Sequence, residues 1–188
     1  MIVFLTGPAA AGKSTVAKAF QKAQARNGAF WVCMDLDDFA KGISFDWYGL
    51  GAVRGPHAER GLVYVKAKDG ALTMKLGDDL RRAFGAFRAG VLAVAQAGVN
   101  VICAASLVEE QDWAAWGEIG AAHPVIRVGL MGPVDELERR EKADATRLLK
   151  GLARGNYAIY DRDEYDLRID TTLVSAKDAA QLVAELLP

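Results

Sequence analysis

Residues 7–15 read GPAAAGKST. Two glycines, a lysine and a hydroxyl at this spacing match G-x-x-x-x-G-K-[ST], a loop built to wrap phosphate. Each position has its own chemistry. Gly7 and Gly12 let the chain turn and bring backbone N–H groups close to an anion. Ala9, Ala10 and Ala11 keep side chains out of the cradle. Lys13 is placed to reach the β- and γ-phosphate oxygens, where charge gathers during phosphoryl transfer. The Ser14 hydroxyl is placed to ligate a metal, and Pro8 and Thr15 complete the stretch expected to hold the nucleotide. The cofactors this predicts are ATP and Mg²⁺.

A second cluster follows in MDLDDF, residues 34–39. An acceptor hydroxyl needs help losing its proton as it meets phosphorus, and a carboxylate near Lys13 and the metal can take it. Asp37 is the favoured base and Asp35 its rival; both are expected to face the acceptor. Asp38 reads instead as the N-cap of the helix that follows it. NVICAASL, residues 100–107, ends a third apolar run in Ala104 and Ala105, so the working acids must come from residues 34–39. Phe45, Trp47 and Tyr48 lie beyond them in an irregular stretch. They either wall an acceptor pocket or form a small satellite core. His57 reads as a packing residue, and Trp113 and Trp116, three apart on a helix, as core.

These groups need a scaffold that brings them together. IVFLT (2–6), FWVCM (30–34), VNVICA (99–104) and PVIRVGLM (124–131) are short apolar runs, as expected of strands buried on both faces. Helical patterns separate them: KSTVAKAFQKAQARNG closed by Gly28, DDLRRAFGAFRAGVLAVAQAG (78–98), and SAKDAAQLVAELL with Ser175 as N-cap. Strand–helix alternation implies right-handed parallel βαβ units. Ligands then sit at the carboxyl ends of the strands. The exits of the first two strands are expected side by side, so that Lys13 and Asp37 converge. LVYVKAKDGALTMKL (62–76) reads as a β-hairpin with a two-residue Asp69-Gly70 turn. Residues 133–155 read as one charged helix or two.

Composition narrows the class. The chain has 188 residues and a formal net charge of −1, so no global basic field argues for nucleic acid. Cys33 and Cys103 sit in apolar runs and read as core thiols in a reducing compartment. No run is long and apolar enough for a membrane span, and MIVFLTG lacks the basic leader of a signal peptide. A soluble cytoplasmic protein of one domain, 1–188, is expected. A GTPase would need an N/T-K-x-D stretch, which the sequence lacks.

Nearly end to end, the chain resembles the chloramphenicol phosphotransferase family of P-loop kinases, and adenylylsulfate kinases more weakly. The P-loop, LDDFAKGI, GLVYVKAKDGALTMKLGDDLRRAF, AVAQAGVNVI, VGLMGPVDELERRE and EYDLRIDTT carry the likeness. It implies a three-layer α/β P-loop kinase fold: a parallel sheet, helices on both faces and a β-hairpin insertion. It also implies ATP-dependent phosphorylation of a hydroxyl on a small molecule, an antibiotic or a metabolite. The family's base matches Asp37. Its arginine-bearing lid matches residues 139–154, where Arg147 is expected on the transferring phosphoryl. Arg140 is expected to stack on adenine. Thr171 and Thr172 are expected either to line the adenine pocket or to cap the strand before them. The sequence departs from the family in two places: Ala104 and Ala105 stand where relatives often carry acids, and Asp144 stands where the lid often has a second arginine. A nucleotide-binding regulatory module and a toxin-like kinase of sugar nucleotides are the alternative functions.

Overall fold

The computed structural model describes residues 1–50, 52–145 and 149–188. The first strand, β1 (Ile2–Thr6), is buried along its whole length. Its alternating side chains feed two separate cores. Ile2 and Phe4 pack into one, Val3 and Leu5 into the other. That is the period of two a strand requires, with apolar residues on both faces because both faces are covered.

The main sheet is parallel. It contains β1, β2 (Trp31–Asp35), β7 (Asn100–Ala104), β8 (Val125–Met131) and β9 (Leu167–Asp170), in the order β2-β7-β1-β8-β9. One face is covered by α1 (Lys13–Arg26), α5 (Val134–Ala143) and α7 (Ala176–Ala184), which supply Phe20, Leu137 and Val183. The other face is covered by α3 (Asp78–Gln96) and α4 (Glu110–Ala122), which supply Phe84, Phe87, Val91 and Trp116. Trp116 stacks on Phe4 at 4.0 Å between ring centroids, so this tryptophan is core as expected. Three layers and a parallel sheet are therefore present.

One expectation about this sheet is corrected. The first two strands are not neighbours, because β7 lies between β1 and β2. Leu5, Ala104 and Asp35 stand in one row across the three strands.

The glycine- and aromatic-rich stretch after residue 40 adds what its pattern did not show. Helix α2 (Leu36–Ala40) leads through a 3₁₀ turn at Phe45–Trp47 into β3 (Tyr48–Leu50) and β4 (Val53–Arg54). These join the hairpin strands β5 (Leu62–Lys66) and β6 (Leu72–Leu76) in a second sheet, order β4-β3-β5-β6. At three and two residues, β3 and β4 are too short for any periodicity to reveal. The hairpin is confirmed, but its turn is not of the two-residue kind. Ala67 and Ala71 still pair, Gly70 N–H donates to Ala67 O at 3.0 Å, and Gly70 has φ +88°. This is a three-residue loop whose glycine takes the left-handed position. In the charged segment, two helices form rather than one: α5, and α6 (Leu152–Gly155). Both cysteines are free thiols, Cys103 buried and Cys33 partly so. No helix among the described residues is long and apolar enough to cross a membrane.

One buried ion pair fixes the loop that follows β7. Arg88 meets Asp112 at 2.9 Å, and the other oxygen of Asp112 accepts the N–H groups of Val108 and Glu109. Removing one partner of such a pair leaves an uncompensated charge. Asp112→Ala should therefore destabilise the protein by about 3–5 kcal/mol, read as a fall in the urea midpoint at constant slope. A loss below about 1 kcal/mol, the range of an exposed pair, would show that this loop is held by other contacts.

Candidate active site

The loop between β1 and α1 has the backbone of an anion cradle. Gly12 lies at φ +87°, and Ala10, at φ +62°, is the one non-glycine with positive φ among the described residues. Left-handed residues of this kind turn successive N–H groups into one concavity. An L-residue outside its preferred region costs of order 1 kcal/mol and persists where the surroundings enforce it. At Gly7 the constraint is contact: a Cβ there would stand 2.0 Å from the Leu130 carbonyl oxygen. Lys13 folds back over the loop, its Nζ donating to the carbonyls of Gly7 at 2.8 Å and Pro8 at 3.1 Å.

Three cavities meet at this loop. The phosphate-side cavity is lined by Ala10, Gly12, Lys13, Ser14, Thr15, Asp37, Arg140 and Asp144. Beyond it lies a slot of mixed character, lined by the apolar Val16, Val174 and Ala179 and the polar Thr15, Arg140 and Thr171. Arg140 borders both, held by Thr171 (carbonyl 2.9 Å, hydroxyl 3.2 Å) and by Glu136 at 3.2 Å. Thr171 lines the slot. Thr172 is bonded back to Asp170 through its N–H and its hydroxyl, which is the strand-end cap.

The third cavity, about 130 Å³, opens on the other side of Lys13. That is close to the ~150 Å³ that admits a benzene ring. Its walls are Ala9 and Lys13 of the loop, Asp37 and Ala40 of α2, Tyr48, Tyr64 and Met74 of the small sheet, and Phe84 of α3. Ser106, Val108, Leu152, Asn156 and Tyr160 close it. The small sheet can form a wall because its register stacks apolar residues on one face. Tyr48, Leu62 and Leu76 make one row, and Leu50, Tyr64 and Met74 the next.

Of the three acids, the structure gives each a separate place. Asp37 lines both the phosphate-side and the apolar cavities, together with Lys13. Asp35 is the N-cap of α2; its Oδ1 accepts the Asp37 N–H at 2.8 Å. The cap expected at Asp38 is therefore at Asp35. Asp38 lies inside α2 and pairs with Lys41 at 2.5 Å in solvent. Among the aromatics, Tyr48 lines the apolar cavity. Phe45 lies with Tyr48 and Tyr64 on an outer extension that again includes Asp37. Trp47 turns elsewhere, against His57 at 4.9 Å and Arg60 at 5.3 Å. Arg147 lies outside the described residues.

Several wall residues escaped sequence reasoning. Ser106 and Asn156 come from loops and Tyr160 from a short 3₁₀ turn, Tyr157–Tyr160, none of them with a motif. Tyr160 is buried and its hydroxyl bonds both the N–H and the carbonyl of Leu107 (2.9 and 3.1 Å), holding the loop after β7 in place. Glu141, also buried, accepts the N–H groups of Gly151, Leu152 and Ala153, so it fastens the start of α6. In the cavity wall, burial pushes the Tyr64 hydroxyl up to about 12, with smaller contributions from Tyr48 and the Asp37 charge. Tyr48 is raised for the same two reasons, burial first and then Asp37.

An anion cradle at the carboxyl end of a parallel sheet covered by helices on both faces is the P-loop kinase fold. The match to the family described as chloramphenicol phosphotransferase-like protein covers residues 1–188, and the chain belongs to that family. No curated protein matches it. Solved structures share the fold at low identity. The APS kinase CysC of Mycobacterium tuberculosis, in complex with AMPPNP and APS, is 21% identical with a TM-score of 0.64, over 98% of this chain and 95% of that one. The shikimate kinase of Acinetobacter baumannii, in complex with shikimate, is 18% identical at 0.57, over 98% and 91%. A gluconokinase of Sinorhizobium meliloti is 15% identical at 0.59, over 98% and 91%.

The raised tyrosines set an alkaline limit. A phenol held neutral in the folded state above its unfolded value contributes stability that is complete below about pH 10 and lost as pH rises toward 12. Melting temperature should therefore fall between pH 10 and 12, and Tyr64→Phe should flatten that fall. An identical alkaline profile in the variant would mean that Tyr64 ionises freely in the fold.

Proposed function

We propose that the protein transfers the γ-phosphate of ATP to a hydroxyl of an uncharged small molecule, with Asp37 as general base. One observation carries the reading: Lys13 and Asp37 are shared by the phosphate-side cavity and the apolar cavity. A group crossing from one cavity to the other must pass between an ammonium and a carboxylate. A module that only bound nucleotide would have no need of the second cavity.

The oxygen donors beside the cradle suit a hydrated magnesium ion, which takes one or two protein ligands and fills its shell with water and phosphate. Ser14 would hold it, with Asp37 and Asp144 facing the same space. ATP and Mg²⁺ together supply the transferable phosphoryl and neutralise its charge. The chain does the rest. Backbone N–H groups of residues 7–15 and Lys13 bind and orient the phosphates. Arg140, Thr171 and the slot beyond them take the base. Arg147 of the lid adds a guanidinium to the equatorial oxygens. Asp37 accepts the acceptor's proton on a carboxylate oxygen as the new O–P bond forms, and its backbone is held for that by the Asp35 cap. The aromatic walls exclude water and so limit futile hydrolysis. Among the described residues, only Lys13 and Asp37 bring charge to the wall of the acceptor cavity, so an uncharged body fits best. Antibiotics of the phenicol kind and neutral metabolites are the acceptors to try.

Asp37→Asn should leave ATP affinity within about threefold and lower phosphoryl transfer by roughly 10²–10⁴, the usual worth of a positioned base. The measurement is ³¹P-detected turnover over a panel of hydroxyl compounds, beside calorimetric ATP binding. Transfer at the wild-type rate in the variant would remove Asp37 from this role. ATP binding without transfer to any member of the panel would favour a regulatory module.

A further inference from the structure

Four charged side chains among the described residues line the phosphate-side cavity, and their signs cancel: Lys13 and Arg140 against Asp37 and Asp144. A polyphosphate is strongly anionic, so a carboxylate beside it opposes binding unless a cation stands between them. Asp37 is accounted for as the base. Asp144, the C-cap of α5, lines the same space. Its backbone is anchored there. The Asp144 N–H closes α5 on the Arg140 carbonyl at 3.1 Å, and its own carbonyl accepts from Lys150 Nζ at 2.6 Å. Lys150 also donates to the Glu141 carbonyl at 2.6 Å, and the buried Glu141 carboxylate fastens the start of α6. The half-buried Asp144 side chain is thus carried by a backbone fixed at both of its polar groups.

The donors around this cavity are those a hard cation takes. Ser14 and Thr15 bring hydroxyls, Asp37 and Asp144 carboxylates. Strand β7 brings no acid, because it runs out in the buried Ala104 and Ala105. No three His, Cys, Asp or Glu side chains among the described residues form a metal cage by themselves. Two carboxylates and a serine hydroxyl, in a cavity of about 320 Å³, suit a magnesium or manganese ion. Such an ion is bound through one or two carboxylates and the substrate phosphates, and it keeps several waters.

We propose that Asp144 holds the divalent cation that enters with the nucleotide, directly or through one of its waters, and thereby makes nucleotide binding depend on that cation. This rests on reading residues 7–15 as the nucleotide site. Without the ion, Asp144 repels the phosphates; with it, the same charge becomes a ligand. The carboxylate therefore acts on metal-free and metal-bound nucleotide in opposite directions, which a packing role does not.

The test uses the full chain and a non-hydrolysable ATP analogue, with no acceptor and no turnover. Analogue binding is measured by calorimetry in magnesium and in EDTA. Binding of Mn²⁺ to the analogue complex is read by electron paramagnetic resonance. Asp144→Asn, which keeps the size and removes the charge, should weaken Mn²⁺ binding about tenfold, the lower end of what a lost metal partner costs. In EDTA it should bind the analogue about threefold more tightly than wild type, because one like charge is gone. Asp144→Glu, which keeps the charge, should retain most of the metal dependence. Unchanged Mn²⁺ affinity in Asp144→Asn would overturn the role of Asp144 and leave the kinase reading intact. So would an equal loss of analogue affinity with and without magnesium, which marks a packing residue. A wild-type chain that binds no analogue even in magnesium would instead defeat the nucleotide site, and this inference with it.

Discussion

Leu5, Ala104 and Asp35 stand in one row across β1, β7 and β2, so the phosphate loop and α2 leave the sheet at the same height, one strand apart. The site depends on that register. A parallel sheet fixes it through evenly spaced hydrogen bonds, and a slip by one residue would turn Asp35 to the opposite face. The intervening strand ends in two alanines, both buried, and its chain then bends into the loop carrying Ser106. The acids missing from β7 are thus matched by those on the strand beside it. The two elements meet over β7 rather than edge to edge.

Within that frame, two aspartates divide the work by position. Asp35 ends β2, and its carboxylate is engaged in capping α2 through the Asp37 N–H. A cap of this kind is worth about 1 kcal/mol, and it also sets where the first turn of the helix begins. Asp37 follows two residues later and faces the cavities. The two carboxylates are therefore separated by geometry more than by chemistry: that of Asp35 is engaged at a backbone N–H, while Asp37 lines the cavities. Asp38 lies on the exposed side, paired with Lys41.

Much of the fold was legible because its signals are local. The phosphate loop is contiguous, the buried strands are apolar on both faces, and Ser175 and Gly70 mark the ends of elements by their chemistry. Strand order was not legible, because pairing of β7 between β1 and β2 is a long-range choice with no local marker. The strands β3 and β4 were hidden by their length, and the three-residue turn by an Asp-Gly pair that serves either loop equally. The site divides the same way. Lys13, Ser14 and Asp37 follow from spacing. Tyr64, Ser106, Asn156 and Tyr160 reach the cavity from segments up to about 100 residues apart, and only packing brings them to one wall. Trp47 shows the converse, an aromatic in the expected loop that packs on His57 and Arg60 instead.

One short segment joins the walls of the phosphate-side and apolar cavities, which has a structural consequence. Glu141, on α5, holds the N-terminus of α6 through three backbone N–H groups, and Lys150 ties the carbonyls of Glu141 and Asp144 at 2.6 Å each. Arg154 pairs back to Glu138 and Asp135 of the same helix. That helix also bears Arg140, which borders the phosphate-side cavity and the slot beyond it. Segment α6 meanwhile lies on the backbone of β6 and supplies Leu152 to the acceptor cavity, with Asn156 just beyond it. A shift of α5 would load the Glu141 contacts and, through α6, the glycine contacts with β6. Packed contacts of this kind resist continuous deformation, so α5, α6 and β6 form one contiguous path between the phosphate-side and apolar cavities. The glycines at 151 and 155 allow that contact to be backbone on backbone, with no flexible side chain between to absorb the motion.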